Sequence, residues 1–108
     1  MTLNDYQVKA VSTAIYPKEY KIIYPTLGLS GEAGEVADKV KKVIRDKGGF
    51  FGPEETSNII DELGDVLWYI GNLANDLGYD LQTVAERNVQ KLEDRAERNA
   101  LQGSGDNR

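Results

Sequence analysis

Two acidic pairs in this chain stand at helical spacing. Glu32 and Glu35 are one turn apart, and so are Glu62 and Asp65. They open two stretches that echo each other: residues 32–40 read EAGEVADKV, and residues 62–70 read ELGDVLWYI. Both fit the pattern acid, aliphatic, Gly, acid, Val, aliphatic, two variable positions, aliphatic. Four carboxylates pressed together repel one another and shift toward protonation. A divalent cation removes that penalty. Oxygen ligands alone select Mg²⁺, Mn²⁺ or Ca²⁺. The chemistry that suits such a centre is attack of water on phosphorus, with the cation neutralising charge and acidifying the water.

A single Glu-x-x-Glu is an ordinary solvated helix face in a chain with 18 acidic residues among 108, and Asp94 with Glu97 reads that way. The other two pairs are set apart by phase. With Ala33 and Leu63 each placed at 0°, Glu32 and Glu62 both fall at about 260°, and Glu35 and Asp65 both at about 200°. The apolar stripe of each helix centres at about 340°. Both helices therefore carry the same acidic edge beside the same core face. Antiparallel packing across a local twofold brings the four carboxylates together. Asp38 and Asp61 lie nearby but farther from the core edge, and are second-choice ligands. Gly34 and Gly64 occupy matching positions, with Gly28, Gly31 and Gly71 besides. Each helical glycine costs about 0.5–1 kcal/mol relative to Ala. Close helix approach, or room for a ligand, is a reason to keep them.

The elements that must position these pairs follow from periodicity. A first helix is expected from about Asn4 to Ile15, with Asn4 and Gln7 as its capping box and Pro17 closing it. Residues 16–26 read as an aromatic loop. A second helix runs from about Thr26 to Lys47 and stops at Gly48 and Gly49. A third begins in the acidic turn Glu54–Glu55, carries Ile59, Leu63, Val66, Leu67 and Ile70, and ends at Gly78. Asp80 caps a fourth, with Leu81, Val84, Ala85, Val89, Leu92 and Ala96 facing inward. No segment reads as a strand. The expectation is an all-α bundle of about four helices, domain 1–101, with a flexible C-terminal tail at 102–108. So short a chain has a modest core, so completion of that core by a homo-oligomer is expected.

Composition narrows the function. Eighteen acidic against 13 basic residues give a net charge of −5, which argues against a nucleic-acid backbone binder. There is no Cys and no His. That excludes zinc-thiolate and His-ligated zinc sites, cysteine nucleophiles and Ser-His-Asp triads. It also argues against a di-iron bundle built on Glu-x-x-His pairs. No apolar run is long enough for a membrane span, and the first ten residues lack a signal-peptide pattern, so a cytoplasmic location is expected.

Several residues could contact a phosphorylated substrate. Asn88 falls inside the apolar stripe of the fourth helix, where it is either a satisfied core amide or a substrate-binding one. Lys91 and Arg95 lie along the same edge and could reach phosphate oxygens, or pair with Glu93 or Asp94. Lys39 and Lys42 are phosphate candidates after Glu35. Trp68, Tyr69, Phe50 and Phe51 could stack on a base, and Tyr69 shares the acidic edge. The GSGDNR tail is either disordered or a lid that offers its glycine amides to phosphate.

The segments GLSGEAGEVADKVKK, DELGDVLWYIGNLA and ERNVQKLEDR together resemble the MazG-like nucleoside triphosphate pyrophosphohydrolases of the all-α NTP pyrophosphatase superfamily. The resemblance runs over roughly residues 4–98 and rests on the paired motif of Glu32, Glu35, Glu62 and Asp65. It implies Mg²⁺-dependent hydrolysis of an NTP or dNTP to the monophosphate and pyrophosphate, with Mn²⁺ as a possible substitute. The four carboxylates would bind the metal, and one of them or a neighbour would activate water. Lys39, Tyr69, Asn88, Lys91 and Arg95 would contact substrate. The family assembles as dimers or as dimers of dimers, and the tetramer is favoured here. Phosphoribosyl-ATP pyrophosphohydrolase and a non-catalytic Mg²⁺–nucleotide-binding bundle are the alternative functions.

Overall fold

Thr2 and Asp5 start the first helix. The Thr2 hydroxyl accepts from the Asp5 N–H, and the Asp5 carboxylate accepts from the Thr2 N–H, each at 3.0 Å. The computed structural model describes residues 1–108 and contains four α-helices and no strand. They are α1 (Leu3–Ser12), α2 (Ile23–Lys47), α3 (Pro53–Asp76) and α4 (Leu81–Glu97). A single 3-10 turn, Lys18–Tyr20, lies between α1 and α2. No helix is long and apolar enough to cross a membrane.

Asn4 and Gln7, expected to cap α1, bond across the fold instead. The Asn4 carbonyl accepts from the Gln82 N–H at 3.1 Å, and its amide donates to Asp80 at 3.3 Å. Buried Gln7 donates to the Gly71 carbonyl at 3.0 Å and the Tyr79 carbonyl at 3.1 Å, and accepts from the Leu81 N–H at 3.1 Å. One amide thereby joins α1, α3 and the start of α4. It also satisfies the Tyr79 carbonyl and the Leu81 N–H, which the α3–α4 turn leaves without helical partners.

α2 begins earlier than its sequence suggests. Ile22 has φ 69° and ψ −51°, and the Ile23 N–H donates to the Lys21 carbonyl at 2.7 Å. This is a γ-turn of the strained hand, an uncommon conformation for a β-branched residue. The surroundings hold it in place. One oxygen of Asp76 accepts from the Ile22 N–H at 3.0 Å and from the Tyr16 hydroxyl at 2.8 Å. Burial, then that bond to Asp76, pushes the Tyr16 hydroxyl up to about 12. Tyr16 also stacks on Tyr24, with centroids 4.9 Å apart and planes at 18°. Pro25 then sits in the first turn of α2, where its missing N–H leaves nothing unpaired.

The other ends follow the expected signals. Gly48 turns left-handed at φ 61°, and the Gly49 N–H reaches back to the Val43 carbonyl at 3.1 Å. Pro53 opens α3 with Glu54 and Glu55 in its first turn. Asp80 caps α4 by accepting from the Thr83 N–H at 2.8 Å.

α2 and α3 form a long antiparallel hairpin, the main packing of the fold. Its register is visible in three contacts: Ile22 with Asp76, Gly28 with Tyr69, and Lys39 with Glu62. At Gly28 the helices approach so closely that a Cβ would overlap the Tyr69 ring. Gly31, Gly34 and Gly64 face open space instead, so close approach explains Gly28 and not those three. α1 lies across α3. There Trp68 donates to the Thr13 hydroxyl at 2.8 Å, and buried Asn72 donates to the Ala10 carbonyl at 3.3 Å and the Trp68 carbonyl at 3.1 Å.

The bundle is open. Only Ala10, Pro25, Val43, Ala74 and Leu81 are buried apolar side chains. The radius of gyration is 16.6 Å, against about 13 Å for a closed domain of this length. α4 packs mainly on α1 and the end of α3. Of its expected inner face only Leu81 is sealed, while Val84, Val89 and Leu92 are exposed along with Ile60 and Leu63 of α3.

Two outcomes test this packing. Gln7→Ala strands the Tyr79 carbonyl and the Leu81 N–H, and should lower unfolding free energy in urea by about 2–4 kcal/mol. Gly28→Ala forces the Tyr69 ring aside, and should cost about 1–3 kcal/mol in the same measurement.

Candidate metal centre

The α2–α3 register carries Glu32, Glu62 and Asp65 into one cluster. Each offers a carboxylate oxygen, and the three oxygens lie within 4.8 Å of one another. Glu32 and Glu62 are half-buried, and Asp65 is exposed. Burial raises the Glu32 carboxyl above its ordinary value, helped by a hydrogen bond with Glu62 and the charges of Asp65, Glu62 and Glu35. These are the marks of anionic oxygens held closer than they would stand by themselves. Lys39 reaches Glu62 at 3.4 Å and supplies one nearby positive charge.

Glu35 lies outside that group of three. It lines the adjoining cleft of about 370 Å³ together with Asp38, Lys39, Lys42, Glu55 and Glu62. Glu35 is thus close to the cluster without closing it. Asp38 is engaged elsewhere: Lys42 at 2.9 Å and Lys41 at 3.0 Å hold its carboxyl down at about 2. The donor set fits a hard divalent cation. It offers three carboxylate oxygens at short mutual distance and an open side toward a polar cleft, where such an ion keeps water ligands. A cation there would offset the burial and the neighbouring negative charges that together raise Glu32.

Tyrosines border the acids. Tyr69 packs against Gly28, and its hydroxyl is raised first by burial, then by Tyr24 and Glu32. Tyr6 of α1 is raised by burial and by the charge of Asp65. Tyr6 and Tyr24 had no site signal in the sequence. Tyr6 fits the apolar stripe of α1, and only the packing of α1 on α3 brings it near Asp65. Trp68 is committed to Thr13, and Phe50 and Phe51 are exposed.

The residues singled out on α4 lie elsewhere in the chain. Asn88 is exposed, not buried in an apolar stripe, because α4 packs on α3 only sparsely and leaves a groove between them. Asn88 and Lys91 line a second groove of about 720 Å³ with Ala74, Leu77, Tyr79, Val84 and Arg87. Arg87 lies over the Tyr79 ring, 5.8 Å from its centroid. Arg95 is buried under the C-terminal segment, where it donates to the Asp106 carbonyl at 2.8 Å. None of the three lines the acidic cleft.

Residues 25–99 match the family model of the MazG nucleotide pyrophosphohydrolase domain. The chain is also 48% identical over 114 aligned positions to the Gene 37 protein of Mycobacterium phage L5, the match covering all of both chains. No solved structure matches it significantly. The family match takes in α2, α3, α4 and both acidic pairs, and the chain belongs to the MazG nucleotide pyrophosphohydrolase family.

Proposed function

We propose that the chain hydrolyses a nucleoside triphosphate, ribo or deoxy, at its α-phosphorus, yielding the monophosphate and pyrophosphate with Mg²⁺ as cofactor. The observation that carries this reading is the meeting of Glu32, Glu62 and Asp65 across the α2–α3 hairpin. Glu35 completes the ligand set from the adjoining cleft, and Mn²⁺ is an acceptable substitute. Mg²⁺, when bound, supplies positive charge to the phosphate oxygens and makes a nearby water more acidic. The chain's own part is to gather the carboxylates and to accept a proton. As the water oxygen bonds to phosphorus, one carboxylate of the acidic edge takes its proton and the bond to the pyrophosphate leaving group breaks. Lys39 is placed to meet a phosphate oxygen when it leaves Glu62. Tyr69, beside the acids, offers a surface for the nucleoside.

The same reading includes a homo-oligomer, with a dimer of dimers favoured over a dimer. The exposed apolar side chains on α3 and α4 support it. Asn88, Lys91 and Arg95 then reach substrate across a subunit boundary, since within one chain they stand apart from the acidic cleft. The protein acts on the cytoplasmic nucleotide pool.

The direct test is pyrophosphate release from a panel of NTPs and dNTPs, with phosphoribosyl-ATP assayed alongside. Turnover of a nucleotide that stops on chelation is expected. Absence of pyrophosphate with every substrate would overturn the reading. Glu35→Gln and Asp65→Asn should each lower turnover by about 100-fold or more while circular dichroism stays unchanged.

Thermal melts give an independent check. A carboxyl whose pKa is raised by folding destabilises the fold once it is ionised. In EDTA at pH 7, Glu32→Gln should therefore melt higher than the wild type by about 2–4 °C. That advantage should vanish as the pH falls below the carboxyl range. Added Mg²⁺ should raise the wild-type midpoint and leave that of Glu32→Gln nearly unmoved.

A further inference from the structure

We propose that Asp106 is a built-in stand-in for a phosphate group, held by Lys91 and Arg95 until the anionic end of a substrate displaces it. This rests on the reading of those two residues as phosphate ligands. They stand one turn apart on α4. One Asp106 carboxylate oxygen lies 3.2 Å from the Lys91 ammonium and 3.3 Å from the Arg95 guanidinium. The Asp106 carbonyl accepts from the same guanidinium nitrogen at 2.8 Å. A carboxylate oxygen between two cations reproduces what a phosphate oxygen would find there.

The exposures of the partners are unequal. The Arg95 side chain is 5% exposed, and the Asp106 side chain that pairs with it is 82% exposed. The cation is fixed in the fold while its anion faces water. Exposed carboxylates bind their partners weakly, so an incoming group with more negative charge has the advantage. Lys91 also lines the α3–α4 groove, so the cations border a space that a ligand can enter.

The rest of the tail is attached by other means. Arg108 donates to the carbonyls of Ala100 at 3.2 Å, Leu101 at 3.0 Å and Gly105 at 2.6 Å, and its own carbonyl accepts from Arg98 at 2.7 Å. Those bonds involve neither Lys91 nor Arg95. Gly103 and Gly105 take φ 135° and 81°, conformations that L side chains rarely adopt. The tail is thus a strap tied at two separate places, by several bonds around Arg108 and by Lys91 and Arg95 at Asp106. Lys91 and then Arg95 hold the Asp106 carboxyl below its usual range, so it remains a competing anion at neutral pH.

The test uses the full-length chain and inorganic pyrophosphate as probe, by calorimetry in EDTA and low salt. Asp106→Asn keeps an acceptor oxygen but loses the charge, and should bind pyrophosphate about three- to fivefold more tightly than the wild type. Lys91→Gln should bind it more weakly. In the wild type, pyrophosphate should shift the amide resonances of Gly105 and Asp106 and leave those of Ala100 and Leu101 in place. Unchanged or weaker binding by folded Asp106→Asn overturns the proposal, as does an Asp106 amide that ignores the probe. If pyrophosphate binds no variant while the wild type hydrolyses nucleotide with Mg²⁺, the strap fails and the enzymatic reading stands. If the binding pattern holds and no nucleotide is hydrolysed, the strap stands and the enzymatic reading fails.

Discussion

Carboxylates on facing helices repel, and left alone they would push α2 and α3 apart or out of register. The hairpin nonetheless sets Glu32 and Asp65 opposite each other with Glu62 alongside, and the Glu32 carboxyl is raised first by burial and then by these neighbours. What holds the register lies elsewhere along the two helices. Tyr69 fills the space left by Gly28, Asp76 grips the entry to α2, and Lys39 offsets part of the charge at Glu62. The acidic cluster is therefore imposed by packing on either side of it. Such a cluster is preorganised for a cation, because the unfavourable gathering of its ligands is already complete before any ion arrives.

The remaining architecture serves that hairpin with little apolar material. α1 is short, and it is fastened by polar side chains as much as by burial: Gln7 to α3 and α4, Asn4 to the α4 cap, Thr13 to Trp68. With five sealed apolar residues the chain has no deep core. Satisfied buried amides take over part of the task of fixing element positions, and they do so directionally.

Much of this was legible from spacing. The 3.6-residue period marked four helices, the Gly48–Gly49 and Asp80 signals marked ends where the structure has them, and matching phase marked the shared acidic edge. Three features were not legible, each for a physical reason. The α2 start depends on a γ-turn at Ile22 that only Asp76, far along the chain, makes tenable. The α1 cap lies at Thr2 because Asn4 and Gln7 find distant partners. Asn88 looked internal because periodicity reports an apolar stripe and not whether a neighbour covers it; α4 packs on α3 only sparsely, and the stripe is open. Likewise, phase alone gave four equivalent carboxylates. The packed helices distinguish Glu35 from the other three.

The torsion at Ile22 has a consequence for how this chain can vary. Glycine is the residue that this backbone geometry ordinarily favours, and it would relieve about 1–3 kcal/mol of local strain. It would also enlarge the unfolded ensemble and so give back about 0.4–1 kcal/mol. The two effects oppose each other, so isoleucine at residue 22 costs the fold less than its torsion alone implies. The direction in which the second helix sets out is then governed by the aspartate that receives its first amide, some fifty residues downstream.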